Sequence, residues 1–230
     1  MITQTNNRGN NEINGSYSIP VIVKSNLNDW HGQSNKGPII KRLEVINVDA
    51  PWLSSLVQYP AGVTFKKCRH NRGEEFLVLS GDFSNDRKTY SAGSYVRNPP
   101  GVQHASSTEH GCTLLFKTGQ FQTLDKKSVA INVNLQAGSW QPAGEPGVSR
   151  MELHQFLDES VNLYKIRPQC WITFKQCTHS IEVLVCEGCV IVGGIKYETG
   201  TWFRYPPNSR LVISSVSNAC LFVKKRKYTR

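Results

Sequence analysis

The chain repeats itself. Sliding the sequence along itself by 107 positions sets Glu75-Phe-Leu-Val-Leu-Ser-Gly81 on Glu182-Val-Leu-Val-Cys-Glu-Gly188, and Gly93-Ser-Tyr-Val-Arg97 on Gly200-Thr-Trp-Phe-Arg204. In the same register, without a gap, Tyr90 falls on Tyr197, Pro99-Pro100 on Pro206-Pro207, Ser107 on Ser214 and Lys117 on Lys224. Glycine marks turns that need positive φ and proline fixes its own φ, so glycines and prolines at fixed spacing imply one backbone path used twice. Two copies of a single domain are expected, over residues 38–143 and 144–228. Residues 1–37 form a mostly disordered lead with one strand around Ile19, Val21, Ile22 and Val23, and residues 229–230 are a tail.

Each copy reads as all-β. Its apolar runs are short, rich in β-branched and aromatic residues, and broken by Gly, Pro, Asn or Asp at intervals of about ten residues, the pattern of a sandwich or barrel. Met151 to Tyr164, the stretch nearest to a helical period, has a mixed apolar pattern and is assigned to strand plus turn. No apolar run approaches the roughly 18 residues of a membrane span, and the opening residues lack a signal or transit pattern, so a soluble, cytoplasmic protein is expected. Seven cysteines, an odd number, read as free thiols in a reducing compartment. The Cys186-x-x-Cys189 pair straddles Gly188 at a strand end and reads as buried thiols rather than zinc ligands. Lys and Arg total 27 against 17 Asp and Glu, a net charge of +10. Five of these cations, Lys224, Lys225, Arg226, Lys227 and Arg230, crowd the end and read as a solvated tail. With no helix-turn-helix, zinc-finger or aromatic RNA-binding signature, nucleic acid is not expected as a partner.

The first copy carries a group of chemically capable residues. Cys68 and His70 are two apart on a strand and project to one face, which sends Arg69 to the other. A tight turn over Asn71 to Gly73 brings Glu74 back beside them, and His104 starts a strand that barrel closure can set opposite. The spacings Gly62-x5-Cys68-x-His70-x3-Glu74-x6-Gly81 and Gly93-x5-Pro99-x-Gly101-x2-His104 resemble the two cupin motifs. The second fits at every fixed position, and the first departs once, with Cys68 where the family usually has a histidine. Glu75 to Phe83, Tyr90 to His104, Gly111 to Lys117 and Ser139-Trp140-Gln141-Pro142 are similar, more narrowly, to the cupin-like domains of ChrR-type anti-sigma factors and acetylacetone-dioxygenase-like relatives.

The resemblance implies two double-stranded β-helix, or jelly-roll, barrels and one divalent metal ion in the mouth of the first. Carried over residue by residue, it gives His70, Glu74 and His104 as ligands with Cys68 in the remaining slot. Such a set suits zinc or iron first, then manganese or nickel. Glu75 competes with Glu74 for the inward position. Spacing to Gly81 favours Glu74, and the repeat pairs Glu75 with Glu182 in a copy without ligands. In that copy Lys175, Cys177, Ile181 and Leu211 replace the four candidates, so its site is erased and its role structural. Phe65, Phe76, Val78 and Tyr95 are candidate pocket-lining residues. Arg97 and Arg204, sharing a repeat position, read as packing residues, and Lys66, Lys67, Arg69 and Arg72 as solvated cations near the mouth. Three functions follow from the resemblance: a dioxygenase-like enzyme for a small dicarbonyl-type ligand, a metal-dependent regulatory module with a sigma factor as partner, or a structural bicupin. Residues 1–37 have no Cys/His cluster like that of a sigma-binding domain, and the fused second copy can supply within one chain the sheet interface that a single-domain relative obtains by dimerising, with a homodimer as a further partner to consider.

Overall fold

The structure is a computed structural model that describes residues 12–24, 30–32, 37–47, 51–86, 88–175 and 178–227. The disordered stretch expected at the start, the tail at 229–230 and Cys177 lie outside the described residues. Among the described residues no helix is long and apolar enough to cross a membrane.

Among the described residues twenty strands follow one another. They are β1 (Val21–Val23), β2 (Ile39–Ile46), β3 (Trp52–Tyr59), β4 (Val63–Arg69), β5 (Glu74–Asn85), β6 (Thr89–Ser91), β7 (Ser94–Asn98), β8 (Gln103–Thr108), β9 (Cys112–Thr118) and β10 (Val129–Asn132). After these come β11 (Gln141–Pro142), β12 (Val148–Phe156), β13 (Glu159–Ile166), β14 (Trp171–Phe174), β15 (Ser180–Glu187), β16 (Cys189–Val192), β17 (Ile195–Glu198), β18 (Trp202–Tyr205), β19 (Leu211–Ser215) and β20 (Ala219–Arg226). The described residues divide into an N-terminal unit, 12–15 with 30–137, and a C-terminal unit, 16–24 with 138–227. The division thus falls a few residues before 143, and the lead is shared between the units. Ile13 bridges to Val45 in the first, while β1 joins the second.

In the N-terminal unit the strands run β10-β7-β5-β9-β3-β2 in the main sheet, and the far half of β5 pairs with β6 and β8, which pairs with β4. The C-terminal unit has sheets ordered β1-β18-β15-β20-β13-β12-β11 and β14-β19-β16-β17. The repeat carries over into the pairing of the central strands. Glu75 faces Arg97 and Leu56 faces Leu115 in the first unit, as Glu182 faces Arg204 and Leu163 faces Phe222 in the second. Even the bulge recurs, between Val78 and Ser80 and between Val185 and Glu187.

Strand alternation divides the first unit's side chains. Phe76 and Val78 of β5 pack inside with Val96, Leu114, Phe83 and Tyr90, and Tyr59 and Phe116 pack against them. Burying each such side chain is worth about 1.5–3 kcal/mol. Glu75, Leu77, Tyr95 and Arg97 point from the same strands to the other face. Tyr95 is therefore buried but does not line the pocket, a correction to the sequence reading. The terminal cations are a second correction. Lys224, Lys225 and Arg226 belong to β20, Lys224 is buried with its Nζ 3.4 Å from Glu159, and the Lys225 Nζ sits 4.8 Å over the Phe174 ring. Met151 to Tyr164 is the expected strand and turn: β12 and β13 form a hairpin around Leu157, whose φ is 47°. The six described cysteines are free, and burial raises the Cys186 thiol well above its ordinary pKa.

Candidate metal centre

Three local features bring the candidate ligands together. The first is a bulge in β4: Phe65 pairs with Ser106 and Cys68 with His104, so three steps on β4 match two on β8. The extra residue resets the alternation, which turns Cys68 and His70 towards the site rather than Lys67 and Arg69. Second, the chain reverses over Asn71 to Gly73. The Gly73 N–H donates to the His70 carbonyl at 3.2 Å, and Gly73 has a φ of +72°. A Cβ there would lie 2.6 Å from the Phe121 ring and 3.0 Å from the Asn98 carbonyl oxygen, so glycine alone lets the turn close. Third, the turn after Pro99 is tied to the same place, because the Gly101 N–H donates to the His70 carbonyl and the His70 N–H to the Val102 carbonyl, each at 2.9 Å.

His70, Glu74 and His104 thereby form a group whose donor atoms all lie within 4.8 Å of one another. Glu74 Oε2 is 3.3 Å from His70 Nδ1 and Oε1 is 3.2 Å from His104 Nε2. The two imidazoles are stacked, with centroids 4.7 Å apart and planes at 25°. The Asn98 side-chain amide donates to Glu74 Oε1 at 2.8 Å and fixes the carboxylate. Burial pushes the Glu74 carboxyl up to about 7, against the opposing Asn98 bond. Burial and the neighbouring His104 hold His70 below its ordinary value, which favours the neutral, electron-donating imidazole. Two imidazoles around a desolvated carboxylate fit a divalent cation, whose charge would offset what burial costs the ionised carboxylate.

Cys68 stands at the exposed edge of this group. Its Sγ is 3.3 Å from His70 Nε2, the ring nitrogen turned away from Glu74, and burial followed by the charge of Glu74 raises the thiol above its usual value. Glu75 goes elsewhere, to the buried Arg97, whose Nη1 donates to it at 2.7 Å while Nη2 donates to Asp125 at 2.6 Å. The Arg97 guanidinium also lies 3.9 Å over the Phe121 ring. Phe65 meets Tyr59 edge to face at 5.1 Å, and Phe76 and Val78 continue this apolar wall inward. Lys66, Lys67, Arg69 and Arg72 are exposed around the mouth.

Two site residues escape a motif reading. Asn98 pairs with Glu74 across β5 and β7, and Tyr59, its hydroxyl pKa raised chiefly by burial, feels the charges of Glu74 and Cys68. The repeat holds the signal for Asn98, since the equivalent residue of the second copy is Tyr205 and changes together with Glu74 to Ile181 and His104 to Leu211. In the C-terminal unit Ile181 and Leu211 belong to the buried apolar core and Lys175 is exposed, so hydrocarbon occupies the place of the ligands.

Residues 19–122 match the ChrR cupin-like domain family. Among curated proteins none matches. Several solved structures share the fold. A putative dioxygenase from Nostoc punctiforme superposes with a TM-score of 0.74 at 14% identity, over 90% of this chain and 82% of its own. The pirin YhhW from Escherichia coli, in complex with nickel(II), has a TM-score of 0.67 at 11% identity, over 92% of this chain and 100% of its own. A salicylate 1,2-dioxygenase variant from Pseudoaminobacter salicylatoxidans has a TM-score of 0.61 at 14% identity, over 76% and 71%. At these identities the likeness is one of fold. The chain has the all-β cupin fold, and its likeness to the ChrR cupin-like domain family is confined to residues 19–122.

Proposed function

We propose that this protein is a metal-dependent, dioxygenase-like cupin that holds one divalent metal ion in its N-terminal unit and acts there on a small dicarbonyl-type molecule. The observation that carries this reading is the convergence of His70, Glu74 and His104 within 4.8 Å inside the barrel. Two imidazoles and one carboxylate are the donor set of non-haem iron sites that keep open positions, and the set also serves zinc, manganese or nickel. A metal bound there supplies Lewis acidity and a template for a chelating enolate and dioxygen. The chain's own groups do the rest. Asn98 orients the Glu74 carboxylate, the neutral His70 is ready to donate, and Tyr59 with Phe65 presents an apolar wall that keeps water from the ligand. Cys68 adds a fourth donor at the rim once its proton is displaced. The similarity to dioxygenases and a nickel-bound pirin supports a divalent metal in general terms.

The test is elemental analysis of unchelated protein beside His104→Ala, followed by dioxygen uptake with a β-dicarbonyl compound. About one metal per chain, lost in the variant, is expected, with uptake that depends on it. A folded wild type without metal overturns the reading. A regulatory role, supported by the family match alone, predicts instead a sigma factor retained by the metal-loaded protein and no uptake.

A further inference from the structure

Between His70 and Glu74 the chain reverses in a turn closed by the bond from the Gly73 N–H to the His70 carbonyl, with Asn71 and Arg72 exposed at its tip. A metal ion accepts its ligands only within about 0.2 Å of their ideal distances, and a short turn open to water does not hold two of them to that tolerance by itself. The segment that follows β9 supplies the restraint. Thr118 stands opposite Glu74 in the ladder of β5 and β9, its hydroxyl donates to the Gly73 carbonyl at 2.9 Å, and the Gly119 N–H reaches the same carbonyl at 3.4 Å. Two residues further on, the Phe121 ring occupies the space beside the Gly73 Cα that a side chain would otherwise take.

This segment is itself anchored. The Gln120 side-chain amide donates to the Leu53 carbonyl at 2.8 Å and to the Ser54 hydroxyl at 2.9 Å, which ties it to β3. The Arg97 guanidinium, fixed by Glu75 and Asp125, lies 3.9 Å over Phe121, so the ring joins that buried ion cluster to the turn that carries the ligands. The repeat shows that part of this support is particular to the copy with the donors. Ser180 stands in place of Gly73 and Lys225 in place of Thr118. There the Ser180 hydroxyl donates to the Arg226 carbonyl at 3.1 Å, and the Lys225 Nζ sits 4.8 Å over the Phe174 ring. The threonine hydroxyl is thus gone from the copy in which Ile181 and Leu211 replace the ligands, and Tyr228, at the position of Phe121, lies outside the described residues.

We propose that Thr118 and Phe121, which lie outside both motifs, are positioning residues of the metal centre: they hold the Gly73 turn so that His70 and Glu74 reach one ion together, and so set how tightly and in what geometry it is bound. The inference rests on the metal-site reading above and concerns residues that supply no donor atom; removing either support leaves every donor in place but adds the ordering of the turn to the cost of binding. The test is titration of cobalt(II) into chelator-treated wild type, Thr118→Val, Thr118→Ser, Phe121→Leu, Phe121→Tyr and His104→Ala in competition with a chromophoric chelator. The visible d–d bands report geometry, and the denaturant midpoint of the metal-free chains reports stability. The wild type is expected to bind about one cobalt per chain, and His104→Ala to lose it. Thr118→Val and Phe121→Leu are expected to bind about tenfold or more weakly with shifted bands, while Thr118→Ser and Phe121→Tyr stay within about threefold of the wild type. A merely structural role would move the midpoint alone. Wild-type affinity and bands in the folded Thr118→Val and Phe121→Leu, or losses as large in the two conservative variants, would overturn the proposal and leave the metal centre standing. A wild type that binds no cobalt would overturn the metal-site reading itself, and the proposal with it.

Discussion

Glu74 and Glu75 are neighbours in sequence with opposite assignments. The pleat sends one carboxylate to the imidazoles and the other to Arg97, and both are almost wholly buried. Their substitutions should separate accordingly. Glu74→Gln is expected to abolish metal retention while leaving the denaturant midpoint of the metal-free protein near that of the wild type, because it removes a carboxylate that burial already disfavours. Arg97→Met leaves Glu75 and Asp125 buried without their shared cation and should cost about 3–5 kcal/mol in denaturant unfolding. Comparable losses of stability in the two variants would contradict this division. Much of it could be read from the sequence: spacing pointed to Glu74, and the repeat tied Glu75 to Glu182, which here accepts the Trp202 indole N–H at 2.7 Å. Tyr95 was less readable. Its side follows from parity with Arg97, but an aromatic residue near a motif serves either face of a two-sided buried sheet.

At the level of elements the repeat is most informative where the backbone is least ordinary. Gly81 and Gly188 have φ values of +74° and +85° at the two bulges, and a Cβ would lie 1.9 Å from the Gly111 carbonyl oxygen in one and 2.2 Å from that of Asn218 in the other. Gly81→Ala and Gly188→Ala should therefore each destabilise by more than about 1–3 kcal/mol, since the backbone must move as well as adopt strain. A midpoint within error of wild type for either would show that the pair of strands can slide. In the turn between β8 and β9 the N–H groups of Glu109 and His110 donate to Asp82 of β5, whose Oδ1 lies 2.9 Å from His110 Nδ1. Hydrogen bonding to Asp82 raises His110 above 6.5, and the bonds from the Glu109–His110 turn lower Asp82 below 3.8 despite some desolvation. The contribution of His110 is complete below pH 6.5 and fades as pH rises through its elevated value; that of Asp82 is complete above 3.8 and fades as pH falls through its depressed value. An NMR titration should find His110 above 6.5 and, in Asp82→Asn, back near it; no change on substitution would remove Asp82 as the cause. The cations of β20 show why a local reading stops short. A run of Lys and Arg reads as solvated until a partner distant in sequence, Glu159 on β13, is brought alongside by strand pairing.

Across the whole molecule, both units cover the same sheet edge with strands from different places. In the N-terminal unit β10 pairs with β7, Val129 opposite Arg97, and in the C-terminal unit β1 pairs with β18, Val21 opposite Arg204. Each covering segment also supplies an aromatic face to the buried arginine: Phe121 lies before β10 and stacks on Arg97, and Tyr17 lies before β1 with its ring 4.0 Å from the Arg204 guanidinium. Arg204 further donates to the Ser16 carbonyl. The two barrels and the strand in the lead were expected from the sequence, but not the sheet that the strand joins, because three residues with no charge or spacing signal can add to any open edge. The consequence is that residues 16–24 are structural parts of a unit whose body begins at residue 138. Deleting residues 1–24 should lower the denaturant midpoint of the C-terminal unit, followed by near-ultraviolet circular dichroism of its aromatic residues, and leave the NMR signal of His110 in the N-terminal unit at its folded position. A peptide of residues 12–27 added in trans should restore the midpoint in a concentration-dependent way, as expected when a ligand binds only the folded state. An unchanged midpoint after deletion would mean that β18 needs no covering strand and that Arg204 is held by its own unit's sheet alone.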